Sequence, residues 1–391
     1  MDESSLSPVV IAVKSSRCRA AATAPGNPVG NREMAFCRAG HDALPASRAA
    51  CFGMPVLTPA DALSLAGAGR PARRRPRVAP VAFVVPFGLA GLGQAWRAAG
   101  AELRVPPTVA GAIFVLAAVI WLILVARYAA QGPRQVLADL RDAVLGPFVP
   151  LAAITPAMLG AALAMAAFSA GRALVVISLV LTVAAGGWLT GQWIAGHLDQ
   201  DSAHPGYLLP TVAGGLVGAA AAAQVHLHGL AEASFGIGVV SWLVLGSTIW
   251  NRLFFRRALA PALVATLAVE LAAPAVAGSA YFALTGGSRN FIAYALGGYA
   301  VLMAVTQLRF VPLYARLRFS PGFWAFVFSY AAASADALQW LAFARPPGAA
   351  GYAIAILTLI TVLGVAVAAR TIMAIARGPF FTAQDPGGTS Q

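Results

Sequence analysis

Two carboxyl groups stand where carboxyl groups are costly. Glu270 lies in VELAAPAVAGSAYFAL and Asp336 in SYAAASADAL, each within a run of aliphatic and small residues. A carboxylate there loses its hydration, so it must be protonated, hydrogen-bonded or put to use. For Glu270 three readings stand open: a protonated, hydrogen-bonded acid, a proton-coupling site, or a structural acid turned away from any path. A charged carboxylate facing a lumen would oppose the passage of anions. Asp336, nearer the end of its segment, reads as a solvated or helix-pairing group.

A second cluster is aromatic. In SPGFWAFVFSYAAAS, Ser320 to Ser334, five rings fall within the eight residues Phe323 to Tyr330, and small side chains follow. Trp324 and Phe328, one helical turn apart, share a face that continues through Ala331, Ala332 and Ala335. Aromatic clusters at helix ends also serve as interfacial belt or packing, a role that competes for Trp324 and Phe323.

Other reactive groups are sparse. His226 and His228, in HLHG, are spaced i, i+2 with no cysteine nearby, a poor geometry for holding a metal. His204 precedes Pro205 close to Asp199 and Asp201, as a loop residue able to titrate near neutral pH. Cys18, Cys37 and Cys51 precede the first apolar stretch and have neither metal-ligand nor disulfide spacing. No HEXXH, G-X-S-X-G or G-X-X-X-X-G-K pattern occurs, so neither an enzyme nor a bound cofactor or metal is expected.

These residues need elements to position them, and the composition dictates which kind. Of 391 residues, 59% are hydrophobic and 10% charged, too few charges to dissolve a globule of this size. An all-α integral membrane protein is expected. The net charge of +13 comes almost wholly from arginines placed between apolar stretches. That distribution argues for membrane topology and against a nucleic-acid partner.

From Val78 onward the chain offers ten stretches near the ~20 residues that a bilayer requires. They lie near 80–97, 107–128, 146–168, 173–196, 206–225, 232–251, 261–285, 291–308, 321–342 and 351–373. Sixteen arginines fall on the side of the termini and five on the other, which places both termini in the cytoplasm of a bacterial plasma (inner) membrane protein. Residues 1–77, rich in Ala, Pro, Ser and Arg, read as a disordered tail ahead of a transport domain over 78–376 and a cytoplasmic tail over 377–391. Met34 and Met54 are alternative starts, and the later one would leave 1–53 untranslated.

Proline marks the odd-numbered stretches: Pro80 and Pro86, then Pro147, Pro150 and Pro156, then Pro205 and Pro210, then Pro261 and Pro274, then Pro321. The pattern repeats about every 60 residues, as an internal repeat does. Prolines within these helices strip the carbonyls of Ala82, Ala152, Gly206 and Glu270 of their helical donors. Such carbonyls need protein or water beside them, whereas the even stretches, bulky and proline-free after their first turn, suit lipid. Five hairpins with kinked odd helices around a central pore are therefore expected. Pro86, Pro156, Pro210, Glu270, Pro274, Trp324 and Ala332 are the pore-lining candidates. With no Arg or Lys placed mid-membrane, selectivity is expected from backbone dipoles and pore width.

Four stretches carry a resemblance: HPGYLLPTVAGGLVGAA, VELAAPAVAGSAYFAL, YAVLMAVTQLRFVPLYAR and PGFWAFVFSYAAASADAL. Together with GLAGLGQAW near the start, they resemble the tellurite-resistance and four-carbon dicarboxylate transporter family, which includes the slow-type anion channels of plant guard cells. The resemblance covers roughly residues 78 to 376. It implies ten helices in five hairpins, commonly assembled as homotrimers in the bilayer, around a path for small inorganic or carboxylate anions. It also implies a phenylalanine gate on the ninth helix, the place that Phe328 takes within WAFVF. Channel-like anion transport is the leading expectation. Proton-coupled transport of C4-dicarboxylates through Glu270, as in a tellurite-resistance-type exporter, is the alternative.

Overall fold

Proline opens five of the helical segments on a tight turn. The 3-10 turns are Pro80–Phe83, Gly146–Phe148 (with Pro147), Pro205–Leu208, Pro261–Ala268 and Pro321–Phe323. In a first turn the missing proline N–H is no loss, because that donor has no helical partner anyway. The computed structural model describes residues 77–196 and 199–378. The N-terminal tail with its three cysteines, Met34 and Met54, and the C-terminal tail from 379 onward lie outside the described residues.

In chain order the α-helices are α1 Val84–Leu103, α2 Pro107–Ala129, α3 Pro133–Arg141, α4 Leu151–Leu163, α5 Phe168–Ala195, α6 Gly214–Gln224, α7 His228–Phe255, α8 Val269–Thr285, α9 Phe291–Tyr314, α10 Trp324–Ala344 and α11 Ala349–Arg377. No β-strand occurs among the described residues. Eight helical segments are long and apolar enough to cross a membrane, and all contain helices other than α1, α3 and α10. Helices α1 and α10 are diluted by Gln94, Arg97 and Glu102, and by Ser329, Asp336 and Gln339.

Burial divides the segments into two classes. Three proline-led segments, Gly146–Leu163, Pro205–Gln224 and Pro261–Thr285, are 78, 83 and 78% buried, whereas α2, α5, α7, α9 and α11 are 22 to 33% buried. The less buried helices turn Leu122, Val180, Leu243, Leu308 and Leu359 outward, which is tolerable only where lipid replaces water. Helices α1, α4, α6, α8 and α10 each touch the next, and α10 closes on α1 through the most extensive helix contact in the chain. Each of these five also packs on the helix that follows it, α2, α5, α7, α9 or α11.

Small residues set how closely these pairs approach. A methyl on Gly215 of α6 would sit 2.5 Å from the Gly238 nitrogen of α7, and one on Gly171 of α5 would sit 2.5 Å from the Gly160 oxygen of α4. Membrane helices gain packing where such residues bring backbones together.

The carbonyl stripped by Pro156 has found a donor. Trp121 of α2 donates its Nε1–H to the Ala152 oxygen at 2.9 Å, and the Ser178 hydroxyl of α5 donates to the adjacent Ala153 oxygen at 2.5 Å. Pro210 is accommodated differently, within a wider π-helical turn over Leu209–Ala213, and the Leu209 N–H serves the Gly206 oxygen. Between α2 and α4, helix α3 was not foreseen. Buried Asp139 anchors it by accepting from Tyr128 and Gln135 at 3.0 and 2.7 Å and pairing with Arg77 at 3.4 Å.

Candidate functional site

Phe328 sits where the five inner helices converge. Its ring is buried, 5% exposed, and stacks on Phe87 of α1 with centroids 3.8 Å apart and planes 23° from parallel. Beneath it lies Gly91, on which a methyl would stand 2.9 Å from Phe328 Cδ2. Glycine here makes room for the ring. Val327 and Ala331, both wholly buried, fix the helix on either side.

A cavity of about 320 Å³ opens on one side of the ring. All five inner helices line it: Gly91, Gln94 and Arg97 from α1, Met158 from α4, Gln224 from α6, Ser279 from α8, and Ala332 and Gln339 from α10. On the other side is a wholly apolar space of about 10 Å³ between Leu209, Leu216, Val269, Ala272 and Ala273. Phe328 and Val276 border both spaces. A space this small holds at most about one water.

The larger cavity has a polar rim. Arg97, half-buried, donates from Nη2 to the Oε1 atoms of both Gln94 and Gln224. Gln339 donates from Nε2 to the Ser279 hydroxyl at 2.9 Å and to the Ala335 oxygen at 3.2 Å. No carboxyl group lines the cavity, and among the described residues Arg97 makes no ion pair. The cavity thus has a cation on its wall, placed toward the end of α1 rather than mid-membrane. With its stretch ending near 97, Arg97 counts in the sequence among the five arginines opposite the termini; α1 runs on to Leu103, and Arg97 lines the cavity. Its signal in the sequence was the glutamines near the ends of three odd stretches, Gln94, Gln224 and Gln339.

Of the other candidates, Ala332 lines the larger cavity, while Pro86, Pro156, Pro210, Glu270, Pro274 and Trp324 border neither space around Phe328. Pro210 instead faces a groove of about 260 Å³ between α5 and α7. Trp324 is 2% exposed and donates to the Thr371 hydroxyl of α11 at 3.0 Å. The Glu270 carboxyl, in the first turn of α8, accepts from Trp250 Nε1 of α7 at 2.9 Å, and its second oxygen has no partner. Asp336 lies against Gly278, where a methyl would stand 2.5 Å from its Oδ1, and that oxygen is also unpartnered. The neighbouring rings pack laterally, Phe326 against Tyr314 with centroids 4.7 Å apart and Phe323 against Phe326 at 5.5 Å.

His204, ahead of the fifth segment, is fully buried between Phe148 and Tyr207. Its Nδ1 accepts the Gly206 N–H at 3.1 Å, and Nε2 faces the Val144 oxygen at 3.3 Å. An Nδ1 that accepts must be unprotonated, and burial pushes this imidazole down to about 4, so it stays neutral where an exposed histidine would begin to charge.

Residues 77–372 match the family model of SLAC1, the voltage-dependent anion channel. Among curated proteins, the tellurite resistance protein TehA homolog of Haemophilus influenzae is 32% identical over 139 residues, which is 36% of this chain. The match spans 42% of that relative's length.

Proposed function

With residues 77–372 matched, the chain belongs to the SLAC1 voltage-dependent anion channel family, and we propose that it passes small anions along the axis ringed by α1, α4, α6, α8 and α10. The observation that carries this reading is the place of Phe328, between a cavity lined by all five inner helices and an apolar space of about 10 Å³. A ring there excludes a hydrated anion by filling the lumen and keeping it dry. Phe87 and Gly91 hold the ring in its closing position, and a rotation of Phe328 away from Phe87 opens the path.

The same reading takes α1 and α10 as spans, giving ten in five consecutive pairs. Their lower apolarity fits, because both are shielded from lipid by the outer helices. The arginine bias puts the termini in the cytoplasm of the plasma membrane and the Arg97 cavity on the opposite face. Assembly as a homotrimer follows from the family resemblance. The Glu270-coupled carrier is not adopted, since that carboxyl is turned toward Trp250 and borders neither space around Phe328.

The test is flux from liposomes holding the purified chain. Phe328→Ala should raise potential-driven chloride and nitrate efflux sharply over wild type, with Phe328→Leu in between. A well-folded Phe328→Ala no more conductive than wild type refutes the gate. Efflux that stops unless protons move with the anion refutes the channel.

A further inference from the structure

We propose that the cavity beside Phe328 is a binding site for one small monovalent inorganic anion, a halide or nitrate, with the Arg97 guanidinium as its cationic ligand. The inference rests on the reading of this cavity as part of an anion path and adds an equilibrium site to it.

The first argument is charge. Arg97 is a permanent cation facing a cavity with no carboxyl group on its wall and no ion-pair partner among the described residues. A partly desolvated cation without a counter-charge is left uncompensated, and a mobile anion supplies the counter-charge. The second argument is donor direction. Arg97 takes the side-chain oxygens of Gln94 and Gln224, which leaves each amide's NH₂ free to donate elsewhere. Ser279 accepts from Gln339, which leaves its hydroxyl proton free in the same way. One guanidinium and three neutral donors thus surround a space whose remaining wall is mostly methyl groups and the Phe328 ring.

The third argument is size and valence. About 320 Å³ is room for many waters, one needing about 10–15 Å³ of such space, so a halide or nitrate enters with part of its hydration shell. A C4-dicarboxylate dianion would bring two charges to one guanidinium, leaving its second carboxylate against methyl groups. The site therefore favours monovalent anions. It also divides selection into two steps, capture at Arg97 and passage beyond Phe328.

Bromide is the probe. Crystals of the full chain grown in bromide should show an anomalous peak within hydrogen-bond reach of Arg97 and Gln224, and the peak should vanish in Arg97→Gln. No peak in the wild type, or one that survives in Arg97→Gln, overturns the site. Should Arg97→Gln not fold, Gln224→Leu keeps the cation and removes one donor. Bromide occupancy should then fall, and unchanged occupancy overturns the site. In liposomes, the Phe328→Ala chain should show chloride efflux that saturates with concentration. Adding Arg97→Gln to it should raise the half-saturating concentration roughly tenfold or more, the scale of a lost charge-assisted contact. The two readings fail separately. Raised efflux in Phe328→Ala without bound bromide keeps the path and removes the site, and bound bromide without raised efflux removes the gate alone.

Discussion

Trp121→Phe tests how the fold tolerates a proline inside a membrane helix. The substitution keeps an aromatic ring between α2 and α4 but removes the indole N–H, which lies 2.9 Å from the Ala152 oxygen, together with part of the indole's bulk. That oxygen has no helical donor because residue 156 is proline. Leaving a buried acceptor unpaired costs ~1–3 kcal/mol, and interhelical hydrogen bonds measured in membranes average about 0.6 with a maximum near 1.7. An orphaned carbonyl belongs at the upper end, so a loss of about 1 to 2 kcal/mol is expected. The assay is thermal unfolding of the purified chain in detergent, run as a double-mutant cycle with Pro156→Ala. Alanine restores the backbone N–H to the Ala152 oxygen, so Trp121→Phe should then cost only the lost bulk of the indole, and the hydrogen-bond part of about 1 to 2 kcal/mol should appear as coupling. Equal costs in the two backgrounds would show that Trp121 serves as bulk and would refute the reasoning.

Three further outcomes are expected. His204 has a folded value of about 4 against an ordinary 6.5, so between these the unfolded chain binds the extra proton and stability is lost as pH falls. The full difference is worth roughly 3 kcal/mol, and melting followed from pH 7 to pH 4 should be steeper in wild type than in His204→Asn. Gly215→Ala would press a methyl onto the Gly238 backbone at 2.5 Å; backbone cannot yield as a side chain can, so a loss at or above the upper end of ~1–3 kcal/mol is expected by thermal unfolding, with Gly187→Ala, which meets nothing within 4 Å, as the neutral control. Glu270→Gln keeps an oxygen for the Trp250 N–H and should leave the pH profile of anion flux unchanged, whereas a flattened profile in the liposome assay would return Glu270 to a coupling role.

Much of the fold was legible because a bilayer demands length and apolarity together. The boundaries of α2 and of Pro261–Thr285 agree with the sequence reading to within a residue. Segments α1 and α10 stand among the ten apolar stretches of the sequence reading but fall outside the eight apolar enough to cross a membrane, whereas the Pro- and Gly-rich third and fifth stretches are among those eight. Helix α3 was missed because nine residues with no apolar run leave only Gly132-Pro133 and the Val136–Leu140 spacing as signals. For the site, motif and spacing pointed to Phe328 and Ala332. Its stack on Phe87 depends on how α1 rotates against α10, which no local pattern encodes. Glu270 drew attention as a costly group, yet its partner Trp250 lies on another helix, and sequence spacing does not reveal which way a helix face turns.

The central claim, that the Phe328 ring separates the cavity beside Arg97 from the apolar space beyond it on one path, is tested most directly by reagent access. In a chain lacking Cys18, Cys37 and Cys51, single cysteines at Ala332 and at Ala272 lie on opposite sides of the ring. A membrane-impermeant anionic thiol reagent, added on the face opposite the termini, should modify Ala332→Cys rapidly and Ala272→Cys hardly at all. With Phe328→Ala introduced, it should modify both. Comparable labelling at both positions with Phe328 intact, or an Ala272→Cys that stays protected after its removal, would contradict the account.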